Sequence, residues 1–144
     1  MTVKYATIGT SWITGEFIGG ASLVDGLQLA AVYSRSEERG KAFAASLAGV
    51  SVYTDLEKLA ASDIDAVYIA SPNHLHYPQS RFFLERGKHV ICEKPAALDT
   101  AQLFDLQRLA AANNLVCVEA LMFLYSPARF TLGEAIARAG KITS

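Results

Sequence analysis

The run Gly87-Lys88-His89-Val90-Ile91-Cys92-Glu93-Lys94-Pro95-Ala96 joins a short apolar stretch to a charged pair and stops at proline. Val90 to Cys92 reads as a strand buried on both faces, because a parallel-sheet strand is apolar without alternation. Glu93 and Lys94 then fall just past its C-terminal end, at the edge where α/β sheets bind ligands. A lysine there can donate a proton or clamp an anion; equally it can be a solvated loop charge. A second cluster follows the apolar run Ile64 to Ala70, which breaks at Ser71-Pro72-Asn73-His74-Leu75-His76. Proline cannot continue a ladder, so the chain leaves the sheet there and presents Ser71, Pro72, Asn73 and His76 at a strand end. A metal site would need a further ligand at suitable spacing, and none is near in sequence.

Two more stretches could bind phosphate. Val3 to Ile8 is β-rich and ends in Gly9-Thr10-Ser11-Trp12-Ile13-Thr14-Gly15, from which a helix runs to about Ser22. A strand, a glycine turn and a helix N-terminus present free N–H groups and a partial positive charge, which suit a pyrophosphate. Against the pattern G-x-G-x-x-G, Ser11 and Thr14 replace the second and third glycines. Ser11 adds a Cβ where backbone should approach phosphate, and a hydroxyl that can donate to it. An ordinary strand–turn–helix has the same outline. Leu27 to Tyr33 is a second strand, ending in Ser34-Arg35. A dinucleotide domain that takes NAD usually carries Asp or Glu here for the ribose 2′-hydroxyl. A hydroxyl and a guanidinium suit a 2′-phosphate instead, so the pair favours NADP, with NAD possible. The plainer reading of Arg35 is a surface residue beside a helix start.

These residues need a frame that sets their strand ends side by side. Ser36 caps a helix with Glu37 and Glu38 in its first turn and an end near Gly49; Val50 to Tyr53 is a third strand. Thr54-Asp55-Leu56-Glu57 is a capping box opening another helix. Ile64 to Ala70 is the fourth strand, with a helix after it to about Arg86, and Val90 to Cys92 the fifth. Asp99 caps a helix with Leu103, Phe104, Leu106, Leu109 and Ala110 on its apolar side, closed by Asn113-Asn114. Leu115 to Val118 is the sixth strand, and Ser126-Pro127 starts a last helix, with proline at its first position, that ends at Gly140. Strict β–α alternation calls for an α/β fold, a doubly wound parallel sheet with six strands in order 3-2-1-4-5-6.

Composition narrows the classes. The chain has 144 residues, 51% hydrophobic and 19% charged, which suits one folded domain. A formal net charge of −1 and the lack of a basic cluster give no support to a nucleic-acid or acidic-membrane partner. No apolar run approaches the roughly 20 residues of a membrane span, and Met-Thr-Val-Lys-Tyr lacks a signal-peptide layout. We therefore expect a cytoplasmic protein. Cys92 and Cys117 lie in apolar runs without metal spacing and read as buried core thiols.

Taken together, Ile8-Gly9-Thr10-Ser11, Ala70-Ser71-Pro72-Asn73 with His76, Gly87-Lys88-His89-Val90, Glu93-Lys94-Pro95-Ala96, and Glu119-Ala120 with Pro127 resemble the N-terminal nucleotide-binding Rossmann domain of the Gfo/Idh/MocA oxidoreductases. The family includes glucose–fructose oxidoreductase and inositol dehydrogenase. The resemblance spans nearly the whole chain, and Gly-Lys-His-Val to Glu-Lys-Pro is its most specific part. It implies that Gly9, Thr10, Ser11, Trp12 and Ile13 cover the cofactor pyrophosphate. Ser34 and Arg35 face the adenosine ribose, and Ser71, Pro72, Asn73 and His76 line the far side of the cofactor. Glu93 and Lys94 sit by the nicotinamide ribose, and Glu119 belongs to the same cofactor-binding set. Lys94 is the family's recurring catalytic lysine. The implied reaction is hydride transfer between a nicotinamide dinucleotide and a small sugar or polyol alcohol, in a homo-oligomer.

The resemblance further implies residues 1–140 as the NAD(P)-binding domain and 141–144 as the first step into a C-terminal α/β substrate domain that supplies an Asp and a His. The 144 residues alone would then be catalytically incomplete. Leu124 departs from the family, standing where relatives often carry Arg. The alternative is a non-catalytic, nucleotide-sensing regulatory protein on the same fold. A methyltransferase on a similar sheet is a poorer match, having no need of a lysine at Glu93-Lys94-Pro95.

Overall fold

Six apolar runs become six parallel strands, and the structure, a computed structural model, describes residues 2–140. The four residues expected to open a further domain, 141–144, lie outside the described residues. In chain order the elements are β1 (Val3–Ile8), α1 (Trp12–Ala21), β2 (Leu27–Tyr33), α2 (Glu37–Ala44), β3 (Ser51–Tyr53) and α3 (Leu56–Ala60). There follow β4 (Ala66–Ile69), a 3₁₀ turn at Asn73–Leu75, α4 (His76–Glu85), β5 (His89–Cys92) and α5 (Thr100–Ala112). The last are β6 (Cys117–Glu119), a second 3₁₀ turn at Met122–Tyr125 and α6 (Pro127–Ala139).

The sheet order is β3-β2-β1-β4-β5-β6, the doubly wound order expected from the alternation. β1 is central, between β2 and β4, so the winding reverses there. The register brings the strand ends level: Ile8 stands opposite Tyr33 and Ile69, Tyr33 opposite Tyr53, Ile69 opposite Cys92, and Cys92 opposite Glu119. Every loop that leaves a strand C-terminus therefore starts from one line. Among the described residues no helix is long and apolar enough to cross a membrane.

The main core lies between the sheet and α3, α4 and α5, where Ile8, Val67, Ile69, Val90, Leu59, Phe83, Leu84 and Leu106 are almost wholly buried. The other face is covered by α1, whose Phe17 stacks on Tyr68 with ring centroids 3.7 Å apart and meets Tyr5 edge-on at 5.8 Å. Such aromatic contacts add about 0.5–1.5 kcal/mol beyond the area they bury.

Local chemistry sets the helix starts. Ser36, Asp99 and Ser126 accept from backbone N–H groups of the helices they precede, as expected for caps. The expected box at Thr54 is instead an Asp55 cap, whose Oδ1 accepts from the N–H groups of Glu57 (2.8 Å) and Lys58 (3.2 Å). A carboxylate one residue nearer the helix wins over the hydroxyl. The sixth strand begins two residues later than expected. Asn114 takes a left-handed turn (φ 54°) and the Leu115 N–H still bonds back to Ala110 O, so those residues finish α5 before the ladder can start. On α5 only Leu106 and Ala110 are fully buried, while Leu103 and Phe104 remain exposed, because the helix leans on α4 and the β6 edge with one narrow stripe.

Candidate functional site

The level strand ends place the predicted residues along one edge. Backbone bonds continue the ladder to the tips: Gly9 N–H to Tyr33 O (3.1 Å), Ala70 N–H to Ile8 O (2.9 Å), Glu93 N–H to Ile69 O (2.8 Å) and Ala120 N–H to Cys92 O (2.8 Å). Between the β1, β2 and β4 tips lies a cleft of about 460 Å³. Gly9, Thr10, Ser11, Ser34, Arg35, Ser71 and Pro72 all line it.

Gly9 makes the floor possible. Its φ of +117° is strained for any residue with a side chain, and a Cβ there would sit 2.8 Å from the Ala70 carbonyl oxygen. Ser11 stands at the start of α1 with extended backbone, and its side chain caps nothing. Its hydroxyl is 3.4 Å from that of Thr14, which is fully buried in place of the third glycine. The first N–H groups of α1, those of Trp12 and Ile13, have no partner within the helix and are left to a ligand or solvent. The Trp12 side chain is 76% exposed, and neither Trp12 nor Ile13 lines the cleft.

At the β2 tip Ser34 is buried, and its Oγ accepts from the Ser36 N–H at 3.3 Å. Arg35 is exposed and enters no ion pair among the described residues. Arg39, which sequence reasoning missed, lines the same cleft from the first turn of α2 and is likewise exposed. Its spacing of four from Arg35, across a Ser36 cap, is the signal that could have found it. Gly40 allows the helix so close: a Cβ there would lie 2.6 Å from Val52 Cγ1 and 3.2 Å from Ser34 Cβ. Two exposed guanidinium-bearing residues and a buried hydroxyl thus line this end of the cleft, a chemistry that suits an anion.

At the β4 tip Ser71 Oγ donates to Gln79 Oε1 at 2.6 Å, tying the turn to α4. Gln79 and Leu75 also line the cleft, and sequence reading named neither. Asn73 is exposed on the 3₁₀ turn, outside the cleft lining. His76 is 1% exposed, beneath the site, with each ring nitrogen beside a backbone carbonyl.

Glu93, Lys94 and Glu119 form a separate group at the β5 and β6 tips, outside that lining. Two strands lie between Arg35 and Lys94 in the sheet, which puts their strands about 14 Å apart. Lys94 is exposed and its peptide bond to Pro95 is cis. Glu93 accepts from the Tyr68 hydroxyl at 2.7 Å, and Glu119 Oε1 accepts from the Ala96 N–H at 2.8 Å. Burial first, and then the Glu93 carboxylate, push the Tyr68 phenol well above its ordinary value. Nothing in the sequence marks Tyr68, which reads as one more apolar strand residue. Cys92, directly under Glu93, is fully buried, and burial pushes its thiol up to about 12, so it stays a thiol at neutral pH and is no nucleophile.

The residues present fit a dinucleotide. The glycine floor admits a close backbone approach, the first N–H groups of α1 are free of partners within the helix, and Arg35 and Arg39 enter no ion pair among the described residues.

Known proteins share this fold. Residues 3–121 match the model of the family described as GFO_IDH_MocA, oxidoreductase family, NAD-binding Rossmann fold. The scyllo-inositol 2-dehydrogenase (NADP(+)) IolU of Bacillus subtilis is 46% identical over 126 residues, covering 87% of this chain and 38% of the relative. The uncharacterized oxidoreductase YgjR of Escherichia coli is 41% identical over 141 residues, covering 97% of this chain and 43% of the relative. The chain thus spans about two fifths of the length of these curated relatives. The crystal structure of KijD10, a 3-ketoreductase from Actinomadura kijaniata in complex with NADP and TDP-benzene, superposes with a TM-score of 0.88 at 26% identity, over 96% of this chain and 43% of that one. The chain belongs to the GFO_IDH_MocA oxidoreductase family, on its NAD-binding Rossmann fold.

Proposed function

We propose that this chain binds NADP across the C-terminal edge of its sheet, as the cofactor domain of an oxidoreductase that moves a hydride to or from a secondary alcohol of a sugar or polyol. The observation that carries the reading is the cleft at the β1/β4 switch, with the Gly9 turn as its floor and Ser34, Arg35 and Arg39 at one end. The pyrophosphate would rest on Gly9 to Ile13. Ser34, Arg35 and Arg39 would hold the 2′-phosphate, with NAD the weaker ligand. Ser71, Pro72 and Asn73 would border the nicotinamide half, and Glu93 and Lys94 its ribose. The bound cofactor supplies the hydride chemistry at nicotinamide C4. Lys94 is the catalytic residue in this reading: its Nζ–H groups hydrogen-bond the reacting oxygen and steady the proton that the alcohol loses or gains.

The named activity of the Bacillus relative supports NADP and a polyol, the NADP in the Actinomadura structure supports NADP, and a D-xylose 1-dehydrogenase (NADP(+)) of Haloferax volcanii, 35% identical over 139 residues, supports a sugar. The relatives' greater length supports reading residues 1–140 as one domain of a longer protein, with 141–144 leading into a substrate domain. We further read that protein as cytoplasmic and homo-oligomeric.

The test is a titration of the 144-residue chain with NADP and NAD, on wild type and Arg35→Ala. NADP binding at least tenfold tighter than NAD, with the advantage reduced by Arg35→Ala, is expected, since a charge-assisted hydrogen bond contributes about 1.5–3 kcal/mol. Equal affinities and no effect of Arg35→Ala refute the cofactor preference. The chain alone is expected to bind NADPH without turning over a polyol.

A further inference from the structure

The Glu93-Lys94-Pro95 turn is gripped by side chains that a sequence reading assigns to the cofactor itself. His76 opens α4 and is 1% exposed. Its Nε2 lies 2.7 Å from the Ser71 carbonyl oxygen and its Nδ1 2.8 Å from that of Pro95. Carbonyl oxygens only accept; a neutral imidazole can donate to one of them, an imidazolium to both. Either way both ring edges face backbone, and neither nitrogen is turned to a ligand. Glu119, at the tip of β6, accepts from the Ala96 N–H through Oε1 at 2.8 Å.

Two consecutive residues after Lys94 are therefore held, Pro95 from α4 and Ala96 from β6. Before Lys94, the Glu93 N–H donates to Ile69 O at 2.8 Å and the Glu93 carboxylate accepts from Tyr68 at 2.7 Å. Between these holds, Lys94 is exposed. His76 is buried with both ring nitrogens engaged, and Glu119, although exposed, adds a charged acceptor to the Ala96 N–H, so the backbone after Lys94 is held from two elements. A lysine side chain needs such a fixed base to present its amine in one place.

We propose that His76 and Glu119 are positioning residues for Lys94: they hold the Pro95 and Ala96 backbone so that Lys94 is presented at the nicotinamide end, and neither touches the cofactor. The inference rests on the cofactor reading above, and the experiment separates the two. NADPH and 2′,5′-ADP are titrated into the 144-residue chain and its variants. The second ligand carries only the adenosine end, so it reports Ser34, Arg35 and Arg39 without Lys94.

Lys94→Ala, His76→Ala and Glu119→Ala are each expected to weaken NADPH about tenfold and to leave 2′,5′-ADP within about twofold of wild type. The pair His76→Ala/Lys94→Ala is expected to be no worse than Lys94→Ala alone, because a residue that acts through Lys94 has nothing left to position. Glu119→Gln keeps an oxygen for the Ala96 N–H and is expected to recover most of the loss seen in Glu119→Ala. Should His76→Ala fail to fold, the two Glu119 variants carry the test. Equal weakening of both ligands, losses that add to that of Lys94→Ala, or Glu119→Gln as poor as Glu119→Ala would each overturn the proposal. Wild type binding neither ligand would overturn the cofactor reading itself, and this inference with it.

Discussion

The two ends of the strand edge are built in opposite ways. At the β2 tip, Arg35 and Arg39 stand exposed, without ion-pair partners among the described residues, over a buried Ser34. At the β5 tip, the polar groups around Lys94 are already spent on one another: Tyr68 on Glu93, His76 on Pro95 and Ser71, Glu119 on Ala96. The first end leaves its cations open to a ligand. The second is ordered before anything binds. Recognition of a charged group tolerates mobile side chains, since Coulomb attraction falls off slowly with distance. Placement of a reacting lysine does not, because an error of about 1 Å at a reacting centre is costly.

The change expected to break the comparison most completely lies between the ends. Gly9→Val puts a branched side chain at φ +117° and against the Ala70 carbonyl, where a Cβ alone would stand 2.8 Å away. Neither partner is a flexible side-chain end, so β1 and β4 must part at their tips. A loss of about 2–4 kcal/mol in unfolding free energy is expected, with no measurable binding of either NADPH or 2′,5′-ADP. Chemical denaturation and calorimetric titration check both. Next in size is the Arg35→Ala/Arg39→Ala pair. It is expected to weaken NADPH about a hundredfold while moving NADH less than threefold and leaving stability within about 0.5 kcal/mol, since both side chains are exposed. A comparable loss for NADH would mean that this end does not read the 2′-phosphate.

How much of this could be read from residues alone depends on which end is meant. The fold could be, because six apolar runs alternate with capped helices, and a doubly wound order with right-handed crossovers is a standard solution for that alternation. The Ser34-Arg35 end was legible as a place, since both residues follow a strand and both line the cleft, while its reading as a phosphate site depends on the dinucleotide fold. Only Arg39 escaped, because a helix must bring it back. The Lys94 end was legible as a location and illegible as a network. His76 looks in sequence like a ligand-facing histidine at a strand end, yet the first turn of α4 drives it under the Ser71 turn. Tyr68 is spelled like core and is core, apart from one hydroxyl. Long-range pairs of this kind, 19 to 25 residues apart, leave no period in the chain to detect.

The mildest expected effect sharpens the comparison at that hydroxyl. Tyr68→Phe keeps the ring stacked on Phe17 and removes only the bond to Glu93. A loss of about 1 kcal/mol at pH 7 is expected. The pH dependence then reports the phenol, through its burial and its bond to Glu93 together. The phenol ordinarily titrates near 10.0, and in the folded chain burial and then Glu93 hold it higher. Above pH 10 the unfolded chain releases this proton while the folded chain keeps it. The stabilisation is therefore complete below pH 10 and falls as pH rises further, at up to about 1.4 kcal/mol per pH unit. Cys92 adds a fall of the same sign, beginning near its ordinary 9.0 and ending at about 12, but it does so in wild type and variant alike. The difference between the two denaturation curves isolates Tyr68. The advantage of wild type should shrink between pH 10 and 11 and vanish or reverse beyond, so a constant gap across that range would mean that neither burial nor Glu93 holds the phenol above its ordinary value.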